Sequence, residues 1–141
     1  MTQVVSKLGK ADEDRLSSQR KVVDKIAAAC LKAPVELASV QSRLAALQAI
    51  VDAKHLTVAQ TYELQCLGIV FGDALVGAGG LEWVMVDDEY GRDPALRMVG
   101  SDTLLFPMTM LSKRVERGEA VDVAALFQVI SRDLDKRRSK G

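Results

Sequence analysis

Four carboxylates crowd one short stretch of this chain, Asp87, Asp88, Glu89 and Asp93, with Tyr90 and Arg92 set among them. Oxygen ligands suit hard cations such as calcium or magnesium. Carboxylates held close together also raise one another's affinity for protons, which is one way to make a general acid. The spacing departs from the EF-hand loop, which needs a central glycine and a terminal glutamate. Three uses stay open for Asp87–Glu89: a solvated turn, a partner-binding or ion-pairing surface, and a divalent-metal or ligand-binding enzyme site. Two aromatics flank the question. Trp83 lies on an apolar run and reads first as core, whereas Tyr90, between acids and Gly91, is the better candidate for an exposed anchor.

Other chemistry is sparse. His55 is the single histidine and has no nucleophile beside it, so neither a His-rich metal site nor a Ser-His-Asp arrangement has a basis. Gly77-Ala78-Gly79-Gly80 precedes a strand-like run, the reverse of the order that aims helix N–H groups at a phosphate. No catalytic residue, cofactor or resident metal is expected. Cys30 and Cys66 fall inside apolar helical patterns, far from any paired spacing, and read as small core residues.

Charge is balanced overall, with nineteen basic and nineteen acidic residues. That removes the global attraction for phosphate or anionic lipid on which nucleic-acid and membrane proteins rely. Locally it is uneven. Residues 81–102 hold six acids and two bases, a net of −4, while residues 113–141 hold eight bases and five acids, a net of +3. These segments are complementary, and pairing within one molecule or across a homodimer is expected. The basic tail from Lys136 lacks stacking aromatics, so nucleic acid is not an expected partner. The charged start, Met1 to Arg15, lacks the apolar stretch of a secretory signal. No run reaches the roughly 18 residues of a membrane helix. A cytoplasmic chain without membrane contact is the expectation.

The elements that must position these residues are legible from periodicity. At 141 residues, 48% apolar and 27% charged, one core is expected. Leu16, Val23, Ile26, Cys30 and Leu31 recur at three and four from about Asp12, which predicts an amphipathic helix. Pro34 breaks it. Leu37, Val40, Leu44, Leu47 and Val51 predict a second helix, and Thr57 with Gln60 fits a capping box for a third over about Val58 to Val76. Gly68 and Gly72 inside that helix each cost roughly 1 kcal/mol relative to alanine, so another element should lie close against them. Leu81 to Val86, Ala95 to Val99 and Thr103 to Phe106 predict three strands, with turn formers over 87–94 and 100–102. Pro107 opens a short helix over about 108–117, and Asp122 is a plausible N-cap for a last helix to about Lys136. The fold class is α+β: N-terminal helices, a small three-stranded antiparallel meander and two C-terminal helices. Residues 1–11 read as a flexible N-terminus, 12–137 as a single domain, and 138–141 as a flexible basic tail.

Three stretches together carry a family likeness: Leu67-Gly68-Ile69-Val70-Phe71-Gly72-Asp73-Ala74-Leu75, then Leu81 to Arg97 with Trp83, Asp87, Tyr90 and Gly91, then Phe106-Pro107 and Lys113-Arg114-Val115-Glu116. Over roughly residues 57–127 the chain resembles a bacterial family known only as a domain of unknown function. The resemblance implies a bacterial origin and carries over no activity, cofactor or catalytic residue. It draws attention to Gly68, Gly72, Asp73, Trp83, Asp87, Tyr90, Gly91 and Lys113 as one surface. Asp73, near a helix C-terminus that disfavours anions, needs a compensating cation, for which Arg97, Lys113 or Arg114 are the candidates. The leading functional expectation is a non-enzymatic interaction module, immunity-like or homodimeric. Its partner-binding face would use Trp83, Asp87, Asp88, Glu89, Tyr90, Arg92, Lys113 and Arg114, with Gly68, Gly72 and Asp73 as structural supports.

Overall fold

The computed structural model describes residues 3–32, 37–54 and 56–140. Strand β1 (Val4–Ser6) is followed by helices α1 (Lys10–Leu31), α2 (Val40–Asp52) and α3 (Thr61–Gly77). Strands β2 (Leu81–Asp88), β3 (Gly91–Met98) and β4 (Leu104–Leu105) come next. A 3-10 turn over Pro107–Thr109 then leads into α4 (Met110–Glu116) and α5 (Val123–Lys140). This is the α+β class expected. The Pro34 break and His55 lie outside the described residues.

Helices α1, α2 and α5 start where a side chain bonds to the backbone of the first turn. The Asp12 carboxylate accepts the Gly9 N–H at the head of α1, Ser39 and Ser42 cap each other's backbone at α2, and Asp122 Oδ1 accepts the Ala125 N–H at α5. The third helix differs from the capping-box expectation. Gln60 Oε1 accepts the Thr57 N–H at 2.9 Å, and Gln60 N–H bonds back to the Thr57 carbonyl. Thr57–Gln60 is thus a turn of its own, and α3 begins one residue after it.

The sheet is antiparallel in the order β1-β2-β3-β4, one strand more than the expected meander. The addition is β1, which pairs Val5 with Val86 at the edge of β2. Three residues are too few to show a period of two, so only pairing reveals it. The segment read as a flexible N-terminus therefore supplies an edge strand and the first turn of α1. The segment read as a basic tail continues α5, and Arg138 Nη2 donates to the Gly79 carbonyl at 2.8 Å. A second difference lies in β3, which begins at Gly91 and runs through Asp93-Pro94 instead of starting at Ala95. Pro94 is tolerated because β4 pairs only with Leu96 and Arg97, which leaves that side of β3 open at Pro94, where a missing N–H costs no ladder bond.

Alternation along β2 and β3 splits the sheet. Leu81, Trp83 and Met85 pair with Met98, Leu96 and Pro94 on the side facing the helices, and Val84, Val86 and Ala95 form a second buried cluster with Val5 and Leu104 on the other. The main core joins Val23 and Ala27 of α1, Leu44, Leu47 and Ile50 of α2, and one whole side of α3. From α5 it takes Val123 and Leu134, with Phe127 set edge-on to Phe71 at 6.5 Å between ring centres. Leu31, expected inward, is the last residue of α1 and is 43% exposed. Cys66 is fully buried and Cys30 partly so. The predicted close approach at the glycines is present. A methyl on Gly68 would strike the backbone of Pro107 and Met108, and one on Gly72 would strike the Trp83 ring.

Candidate functional site

The residues singled out from sequence fall into three places. Gly68, Gly72, Asp73 and Trp83 meet at an internal junction of α3, β2 and the Pro107 turn. Asp87, Asp88, Glu89, Tyr90, Gly91 and Arg92 form the far end of the β2–β3 hairpin. Lys113 and Arg114 sit on α4, where Arg114 Nη1 donates to the Met110 carbonyl of its own helix.

At the junction Asp73 is held from two sides. Arg20 of α1 donates through Nε to Oδ2 at 2.7 Å and through Nη2 to Oδ1 at 2.9 Å, a two-pronged pairing, while Trp83 Nε1 donates to Oδ1 at 3.0 Å. The compensating cation is therefore Arg20 and not Arg97, Lys113 or Arg114; Arg97 pairs with Glu82 across the sheet. The Asp73 side chain is 12% exposed. The hydrogen bonding that Arg20 donates to this carboxylate, together with the carboxylate's charge, outweighs burial and pushes the Arg20 guanidinium above its ordinary value. Since α3 runs on to Gly77, the close seat of Trp83 over Gly72 is what lets the indole N–H reach the carboxylate. This cluster locks α1, α3 and β2 together.

At the hairpin end Glu89 and Tyr90 form a two-residue turn. Asp88 Oδ1 accepts the Tyr90 N–H at 2.8 Å, and Gly91 adopts φ +125°, a conformation that a side chain would strain. Arg92 donates to Asp87 at 2.7 Å and, through its other nitrogen, to Asp12 at the head of α1 at 2.7 Å. One cation thus fastens the hairpin to the helix layer. Tyr90 is 87% exposed. Among the described residues no group of three or more His, Cys, Asp or Glu side chains is placed to hold a metal ion. The hairpin acids instead diverge, Asp87 to Arg92 and Asp88 to its own turn.

Among the described residues no ion pair joins the acidic segment 81–102 to the basic segment 113–141. Arg137 and Arg138 pair with Asp133 and Asp135 on α5 itself. Sequence reasoning missed Asp12 and Arg20. Neither carries a local signal, since their partners lie 80 and 53 residues away. No described helix is long and apolar enough to cross a membrane.

Comparison with known proteins places this geometry in a wider setting. The chain is similar to a protein from Bacteroides thetaiotaomicron VPI-5482 whose crystal structure is known at 1.50 Å, with a TM-score of 0.79 at 19% identity. The match covers 91% of this chain and 47% of that one, so this chain spans less than half of its structural neighbour. At that identity the likeness establishes the fold. No curated protein matches the sequence. The model of the family described as "Domain of unknown function (DUF3806)" matches residues 43–127, which contain α3, the hairpin and α4, and the chain belongs to that family.

Proposed function

We propose that this domain is a non-catalytic protein-interaction module of the bacterial cytoplasm that docks through the outer end of the β2–β3 hairpin. The observation that carries the reading is Tyr90, a large amphipathic side chain 87% exposed at the tip of a hairpin that is otherwise tied down. Aromatic side chains of this kind are common interface anchors, because they bring contact area at little entropic cost. The Asp88 turn bond, the left-handed Gly91 and the Arg92 bridge to Asp12 support the same reading, since a preorganised tip loses little freedom on binding. Asp87, Asp88, Glu89 and Asp93 around the tip favour a partner with a basic face, attracted over the distance that salt allows.

The test is capture by wild type beside a Tyr90→Ala, Asp88→Ala double variant. One stoichiometric protein should be retained by wild type, lost by the variant, and released as salt is raised. A second copy of this chain in that role would make the module homodimeric; a toxic enzyme silenced by it would make it immunity-like. Equal capture by both forms removes the hairpin from the interface.

A further inference from the structure

We propose that the cleft between α2, α3 and the α4–α5 connection binds a small amphiphile, an apolar body carrying a cationic amine. The cleft encloses about 610 Å³, inside the roughly 300–1,000 Å³ range of small-molecule pockets. Its floor is core surface. Ile50, Leu64 and Leu67 are each 1% exposed and line it together with Val115 and Val121. Its outer wall is also apolar. The chain leaves α2 through Lys54, which holds φ +52° with its N–H on the Val51 carbonyl, and then carries Leu56 and Val58 past the same opening. Val58 is 56% exposed, so part of this wall is open to a ligand. The same left-handed conformation closes α1 at Lys32, so at Lys54 it ends α2 and turns the chain toward the cleft.

The charges at the mouth choose the head group. Among the described lining residues Asp52 and Glu119 stand there against Lys54, a net of −1, and the carbonyl end of α2 adds further negative potential. Neither acid pairs with a cation among the described residues. Asp52 accepts only the Gln48 amide. A cationic head at the lip and an alkyl or aryl body on the floor satisfy both features, whereas a carboxylate head would meet two like charges. All of the lining residues fall inside the family-matched region, and none belongs to the hairpin, so this inference does not rest on the interaction reading.

The experiment is titration of the whole chain with octylamine, octanol and octanoate, followed by calorimetry and by amide NMR shifts. Octylamine should bind saturably, about tenfold (1.4 kcal/mol) more tightly than octanol, with octanoate weakest and with shifts confined to residues 50–67 and 115–121. Asp52→Asn with Glu119→Gln should erase the preference for the amine and keep binding of the body. Ala120→Trp, at an exposed lining position, should block all three ligands. Tyr90→Ala should bind octylamine as wild type does. Octanoate binding as tightly as octylamine, shifts centred elsewhere, or no saturable binding of any of the three would overturn the proposal, and the shift map decides it even if a variant fails to fold.

Discussion

Replacing Asp73 with asparagine keeps the size and shape of the side chain and removes its charge. One oxygen remains to accept from Arg20 or Trp83, but the other becomes an amide facing the Arg20 donors, so one prong of the pairing turns repulsive. Hydrogen bonds to a charged group contribute about 1.5–3 kcal/mol. Arg20 is 37% exposed, and solvent screening reduces that figure. A net loss of about 2 kcal/mol remains, which for a chain of this size lowers the melting temperature by about 6 °C. Thermal unfolding by circular dichroism reads the loss, and Trp83 emission reads the freed indole N–H. Combined with Arg20→Met, the two substitutions should be less than additive by about 1 kcal/mol or more. The Arg20 charge persists to pH values beyond any ordinary assay, because a raised basic group contributes its stability at all pH below its unfolded value. The effect should therefore not fade between pH 6 and 9. A melting temperature within about 1 °C of wild type, or strict additivity, would refute the junction as an energetic unit.

Three further outcomes follow from the packing. Gly68→Ala drives a methyl into the Pro107–Met108 backbone, and overpacking of about 1–3 kcal/mol should exceed the roughly 1 kcal/mol of helix propensity regained; a denaturant midpoint at or above wild type would contradict the close approach. Gln48→Ala strands the Val123 N–H and the Val121 carbonyl that one amide now serves, which should cost about 1–3 kcal/mol and speed amide exchange at the start of α5. Burial pushes the Cys66 thiol above its ordinary range, with Glu63 adding and Tyr62 and Arg15 partly offsetting. The unfolded thiol ionises first, so stability holds below about pH 8.5 and declines above it. Cys66→Ala should flatten that decline, and thiol reagents should modify Cys66 only as the chain unfolds.

Most of the secondary structure was legible because it is governed by neighbours. The three-and-four spacing over Leu16–Cys30 and Val123–Leu134, the Asp122 cap and the glycines after α3 act within a turn or two of where they stand. The cost of Gly68 and Gly72 even announced that something must pack on them, though not that it would be the Pro107 turn and the Trp83 ring. The misses have separate causes. Strand β1 is three residues long and exists only by pairing with β2. The helical part of the Thr57–Gln60 signal moved to Thr61 because both groups were consumed in a separate turn.

The sequence by itself determined the class of fold, most of the inward residues of the helices with Leu31 the exception, and the exposed character of Tyr90 between its acids. Only the tertiary structure decided which charge meets which. Any of the nineteen bases could have answered Asp73. Arg20 does so because α1 packs on α3 and brings together residues 53 apart in sequence. Arg92 reaches across 80 residues to Asp12 for the same reason. Coulomb attraction is not selective by residue identity, and the hydrophobic packing of the helices fixes which charges come within reach.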